Sequence, residues 1–180
     1  MTAAIEDYLL CTNIVSILWN TADPRHDEAI RKVSALDPNH VHMAIISVGE
    51  VEYGLKAAPL RSTRGRPVSP EKQSQVREQM RVFKKYYVTE STCEVYGEIK
   101  TALMDKWARH PNGSFKRVKR VEDLVEPINA KDLGIEEADL WIVSIAKDHN
   151  LIFVTNDSDE GMKRVVDAAN YGNRTQFWRF

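Results

Sequence analysis

An α/β fold, a three-layer α/β/α sandwich built on a central, mainly parallel sheet, is the architecture this sequence predicts. Three observations predict it. Short apolar runs alternate with segments of helical periodicity along most of the chain, the pattern of strands joined by helical crossovers. The run LIFVT at 151–155 is apolar on both faces, as a strand in mid-sheet covered by helices must be. A length of 180 residues, 43% apolar and 28% charged, suits a single domain over 1–180 with a full core and argues against disorder.

The elements follow in order. Tyr8, Leu9 and Leu10 form a short apolar strand within Asp7–Cys11, and Thr12 and Asn13 turn the chain into a helix through Ile14, Val15, Ile17 and Trp19. Asp23-Pro24 reads as an N-cap followed by proline at the first helical position, opening a helix to about Leu36. VHMAIIS, Val41 to Ser47, reads as a second strand, and Gly49 to Ala57 as a helix with Glu50 in its first turn. Proline, glycine and serine make APLRSTRGRPVSP a loop. Ser69-Pro70 starts a helix to about Lys85, Tyr86 to Val88 is a short strand, and Val95, Ile99, Leu103 and Trp107 have helical spacing within 92–109. His110 to Leu133 reads as a long polar connection. Ile135 to Lys147 is a helix apolar on most sides, Met162 to Ala169 another, and Thr175 to Phe180 a final edge strand.

Charge and composition exclude several classes. Twenty-five basic and 26 acidic side chains leave a net charge of -1, so nucleic acid would have to be drawn by local patches. Two are present, Arg61, Arg64 and Arg66 in one loop and Lys116, Arg117, Lys119 and Arg120 in another, and either alone reads first as solvated loop charge. No apolar run approaches the roughly 20 residues of a membrane-spanning helix. The opening MTAAIEDYLL lacks the basic flank of a signal peptide. Cys11 and Cys93 have neither zinc spacing nor a disulfide framework, which predicts reduced thiols and a cytoplasmic location. Cys93 is expected to be a small, half-buried residue.

In a parallel sheet, ligands gather where strands end and helices begin. Cys11 ends the first strand, Glu50 follows the second, Asp157 lies two residues beyond LIFVT, and Asp139 sits early on the preceding helix. Carboxylates brought to one rim repel each other unless a cation joins them, and oxygen donors favour magnesium or manganese. Each acid also has an ordinary structural reading. Glu50 and Asp139 suit the positive end of a helix dipole, and Asp157 suits a turn.

Four blocks in these places resemble the PIN-domain family, specifically VapC-type toxins of VapBC toxin–antitoxin systems. YLLCTNIVS resembles the opening strand, turn and helix; ISVGEVEYGL the block with a glutamate four residues before a glycine, here Glu50 and Gly54; EADLWIVSIA the block opened by an aspartate, here Asp139; and LIFVTND the closing strand with Thr155 and Asp157. The resemblance implies a metal-dependent endoribonuclease that acts on an RNA substrate and is held inactive by a cognate antitoxin protein. It also implies a possible homodimer. Asp139 and Asp157 would hold Mg or Mn, Glu50 would complete the cluster or position the attacking water, and Thr12, Asn13 and Thr155 would orient the site.

One position departs from the family. Its first aspartate, commonly a metal ligand, is Cys11 here, and a thiol protonated near neutral pH is a poor ligand for magnesium. Asp7 is no substitute, because four strand residues set it roughly 13 Å away. Asp159 and Glu136, the latter one helical turn before Asp139, are nearer helpers. The expectation is weakened or absent nuclease activity, with a catalytically silent RNA- or protein-binding module as the alternative. A phospho-acceptor domain is disfavoured, since its paired acids near the first strand are lacking. Antitoxin contact is expected on the early helices, where Ile14, Ile17 and Trp19 supply apolar surface, although Ile14 also suits the core.

Overall fold

Apolar strand segments laid side by side account for the centre of the molecule. In the computed structural model, which describes residues 6–57, 68–110, 112–157 and 159–180, the strands are β1 (Tyr8–Leu10), β2 (Val41–Ala44), β3 (Lys84–Tyr86), β4 (Ile152–Thr155) and β5 (Thr175–Phe177). They form one sheet in the order β3-β2-β1-β4-β5, and every pairing is parallel. Leu9, Leu10, Met43, Phe153 and Val154 on the three inner strands are fully buried. The edge strands β3 and β5 are partly exposed. This is the burial expected of a parallel sheet covered on both faces.

The helices are α1 (Thr12–Trp19), α2 (His26–Ser34), α3 (Ile45–Ala57), α4 (Pro70–Arg81), α5 (Glu90–Trp107), α6 (Glu137–Asp148) and α7 (Glu160–Ala168). They flank the sheet to give the predicted α/β/α sandwich. Helix α1 packs on α2 and α3, while α5 packs on α6 and α7. The strand order reverses at the β1–β4 pair, and such a reversal opens a crevice at the carboxyl ends of the two strands. Cys11 follows β1 there, and Asn156 and Asp157 follow β4.

Several predicted boundaries move, each for a physical reason. The predicted second strand stops at Ala44. Ile45, Ile46 and Ser47 enter α3, so Glu50 lies in its second turn and the helix-dipole reading of that acid does not apply. β-Branched residues suggested strand, but burial in either element satisfies them. The Asp23 carboxylate accepts from the backbone N–H of Arg25 and from its guanidinium, which makes Pro24 part of a turn and delays α2 to His26. Helix α4 ends at Arg81, and the third strand falls two residues earlier than predicted. Helix α5 begins at Glu90, because the Thr89 side chain caps it and exchanges hydrogen bonds with Thr92. The final strand ends at Phe177.

The 110–133 connection is more anchored than its polarity suggests. Val121, Leu124 and Leu133 are buried within it, and Val125 bridges Asp132. Its patch residues Arg117, Lys119 and Arg120 are exposed, with Arg120 paired to Asp123 at 3.0 Å. Arg61, Arg64 and Arg66 lie outside the described residues. Cys93 is exposed rather than half-buried, because the inward face of α5 carries Thr92, Ile99 and Leu103. Among the described residues no helix is long and apolar enough to cross a membrane.

Candidate functional site

Three strand-to-helix junctions and the first turn of α6 converge on one small cavity. It has a volume of about 130 Å³, and Cys11, Thr12, Asn13, Glu50, Glu136, Asp139 and Asp157 line it, with Met162 closing the floor. Glu50, Asp139 and Asp157 thus share one wall system with Cys11. Glu136, noted in the sequence only as a neighbour of Asp139, shares it too. No lysine or arginine lines this cavity among the described residues.

Hydrogen bonds fix the rim. The Thr12 hydroxyl donates to Glu50 Oε2 at 2.5 Å and lies 2.8 Å from the hydroxyl of Ser47, which is fully buried. Thr12 therefore ties the start of α1 to α3 and sets the Glu50 carboxylate over the cavity. Ser47 carried no signal in the sequence, because it read as the end of a strand. Thr155 Oγ1 accepts from the backbone N–H of Asp157 at 3.0 Å, and Asp157 Oδ1 accepts from the backbone N–H of Asp159 at 2.9 Å. These two turns hold Asp157 at the end of β4. Asp159 lines the neighbouring cavities beside Asp157, outside the small acid cavity.

Close packing of two chain segments places α6 against α7. A Cβ on Gly161 would stand 1.7 Å from the carbonyl oxygen of Gly134, so only glycine permits this approach. Gly134 itself has φ +65, the left-handed region that glycine adopts without penalty. The contact sits two residues before Glu136 and four after Asp157, and so it sets how near the two sides of the cavity come.

The electrostatics follow from this crowding. Burial pushes the Asp139 carboxyl up to about 7, and the like charges of Glu136, Asp157 and Glu50 add to the effect. Burial also raises the Glu50 carboxyl, with the Thr12 hydrogen bond working against it and Glu136 working with it. Cys11 is buried, and desolvation raises its thiol above the ordinary range despite a hydrogen bond to Thr155. A raised thiol stays protonated and neutral near pH 7. Cys11 occupies the N-cap position of α1 and its side chain makes no capping bond.

Asp7 lies at the opposite end of β1. Its Oδ1 is 2.8 Å from both His40 Nδ1 and His42 Nε2, which excludes it as a replacement for the missing acid. The donor types around the cavity suit a hard divalent cation. As placed, however, no three acidic, cysteine or histidine side chains among the described residues come together closely enough to hold one.

Ile14, Ile17 and Trp19 are 0%, 3% and 6% exposed. They pack into the core, and Trp19 also lines a groove with Val51 and Leu55.

The sequence matches the PIN domain family over residues 8–167. No curated protein matches it in sequence. Among solved structures, VapBC2 from Rickettsia felis bound to a DNA fragment from its promoter is similar at TM-score 0.57 and 18% identity, covering 96% of this chain and 98% of that one. FitAcB from Neisseria gonorrhoeae is similar at TM-score 0.55 and 19% identity, covering 88% and 92%. A toxin–antitoxin complex from Klebsiella pneumoniae is similar at TM-score 0.52 and 17% identity, covering 86% and 89%. At these identities the likeness is one of fold.

Proposed function

The chain belongs to the PIN-domain family, and from that premise we propose that it is the endoribonuclease partner of a toxin–antitoxin pair, acting as one cytoplasmic domain whose activity is damped by Cys11. The observation that carries the reading is the crowding of Glu50, Asp139, Asp157 and Glu136 around one cavity without a facing cation, with Asp139 pushed up to about 7. A divalent ion would relieve that repulsion.

Asp139 and Asp157 are the residues that would hold Mg or Mn, and Glu50, steadied by Thr12, would accept a proton from the attacking water. When bound, such an ion supplies positive charge beside the phosphodiester and lowers the pKa of water. Thr155 keeps Asp157 in place, Asn13 borders the entrance, and Asp159 extends the acidic rim. The neutral thiol of Cys11 adds neither charge nor a hard donor, so metal affinity falls and cleavage with it.

The neighbours are described as VapBC or toxin–antitoxin assemblies, which supports an antitoxin partner here. The surface that fits one is a groove of about 590 Å³ lined by Trp19, Val51, Leu55, Val68 and Val76, reaching Thr12 and Glu50 at one end. An antitoxin segment lying in it would cover the acid cavity.

Cys11 also favours a second reading, a PIN fold that binds RNA without cutting it. Cleavage of RNA by the natural chain and by Cys11→Asp, each with and without magnesium, separates the two. The nuclease reading expects magnesium-dependent cleavage that rises at least tenfold in Cys11→Asp. Equal activity in both forms removes the assigned role of Cys11, and binding without cleavage in both establishes the silent module.

A further inference from the structure

The acid cavity does not end at Asp157. Asn13 and Asp157 also line a second cavity of about 390 Å³, which runs past Asn20 to Arg25 and Asn156. Arg25 and Asn156 in turn line a third, of about 510 Å³, walled by Lys163, Phe177, Trp178, Arg179 and Phe180. Through these shared lining residues the three form a row, or trough, from the carboxylates to the end of β5, and the lining changes character along the way. The end near Asp157 is acidic; the far end is basic and aromatic.

We propose that the far end of this trough is a single-stranded RNA subsite that holds the nucleotides flanking the scissile phosphate by stacking and by charge. The proposal rests on the nuclease reading for its direction, toward the acid cavity, and on three further observations for its chemistry. The first is aromatic surface: Phe177 is exposed and Trp178 half-exposed, on a chain segment held to the sheet by the hydrogen bond from Trp178 N to Thr155 O at 2.7 Å. An aromatic plane held this way is a platform for a base. The second is charge. The exposed Arg179 guanidinium has no hydrogen bond or ion pair among the described residues, and Lys163, 45% exposed, is paired with Glu160 at 3.4 Å. In a chain of net charge -1, cations beside aromatics form the local patch that a phosphate backbone requires. Lys32 lies over the Trp178 and Phe180 rings at 5.6 and 5.3 Å and adds a further cation to the aromatic cluster. The third is Asn156, at the junction of the two cavities, whose buried Oδ1 has no hydrogen-bond partner. Its amide has spare capacity for a ribose hydroxyl or a base edge.

Of the basic patches at 61–66 and 116–120, each of which also reads as solvated loop charge, the first lies outside the described residues. None of Lys116, Arg117, Lys119 or Arg120 lines any of the three cavities of the trough.

Anisotropy of a fluorescein-labelled ten-residue oligouridylate with the full chain in EDTA tests the subsite without any cleavage. Trp178→Ala is expected to weaken binding about tenfold, a typical loss for one stacked base, and Trp178→Phe to restore most of it. Arg179→Glu is expected to weaken binding and reduce the salt slope by about one. Phe177→Ala, at a more exposed ring, provides a variant with little risk to folding, and denaturation midpoints confirm that each variant is folded. An oligomer of the same length lacking bases should bind the natural chain and Trp178→Ala alike. Unchanged affinity in Trp178→Ala, Phe177→Ala and Arg179→Glu overturns the proposal. So does loss confined to Arg117→Glu, or a change only in self-association, which would make the aromatic end a protein contact. Failure of Cys11→Asp to cleave leaves these outcomes intact, so the subsite and the nuclease reading fail separately.

Discussion

Replacing Asp139 by asparagine removes a charge that the folded protein opposes, and the resulting change in stability tests the crowding of the acid cavity without reference to activity. Folding moves this carboxyl from its ordinary 3.8 to about 7. At roughly 1.4 kcal/mol per pH unit, that corresponds to on the order of 4 kcal/mol of opposition when the group is charged in both states. Side-chain relaxation and water entry reduce the figure by about half. Asparagine also forfeits the favourable charge at the start of α6, worth about 0.3–1 kcal/mol. Repulsion and desolvation still win, leaving a net gain of about 1–2 kcal/mol. The sign with pH follows. Because the folded pKa lies above the unfolded one, the folded protein binds more protons between about pH 4 and 7, and the natural chain loses stability as pH rises through that window. Asp139→Asn lacks this slope. Urea denaturation in EDTA should therefore give Asp139→Asn a midpoint about 0.5–1 M higher at pH 8, shrinking toward zero near pH 4. A variant no more stable than the natural chain at pH 8 would refute the crowding, and with it the case for a cation.

Two further outcomes are expected. Gly161→Ala forces the α7 backbone away from the Gly134 carbonyl, which a Cβ would meet at 1.7 Å; a loss of about 3 kcal/mol or more in urea denaturation is expected, and a loss under about 1 kcal/mol would show that the close approach is slack. With a thiol-reactive dye at pH 8, exposed Cys93 should label in the native protein and buried Cys11 only after unfolding; rapid labelling of both would show that the Cys11 thiol is neither buried nor held protonated.

Strands and helices were legible wherever one period dominated. LIFVT, apolar on both faces, became the inner strand β4, and the Leu140–Ala146 run became the buried length of α6. Boundaries were lost where two cues competed. Ile45 and Ile46 carry strand propensity, yet the chain turns into α3 there, and no local signal separates a half-buried β-branched pair at a helix start from the end of a strand. Ile17 and Trp19 read as available surface because a short helix gives no indication of how much of its circumference neighbours will cover; α2 and α3 cover α1 on the sides that sequence periodicity left open. The placements of Glu50 and Asp157 were legible because both follow a predicted strand, and that of Asp139 because it stands early on an apolar helix. Ser47, which hydrogen bonds with Thr12, was not, since its role depends on a contact between elements 35 residues apart.

The same crowding bears on position 11. It is the N-cap of α1, set against the end of β4, and its backbone N–H donates to Val154 O at 2.8 Å. An aspartate there would accept from backbone N–H groups of the first turn, a gain of about 1 kcal/mol that the thiol does not provide. It would also bring another carboxylate to a cavity where Asp139 already resists ionising. Without a cation the added repulsion opposes the cap; with one, both effects favour the folded, loaded state. Under the proposed nuclease reading, cysteine would give up the cap and a candidate ligand together. The side chain at position 11 would, on that reading, set the cap and the added repulsion against each other in the absence of a cation.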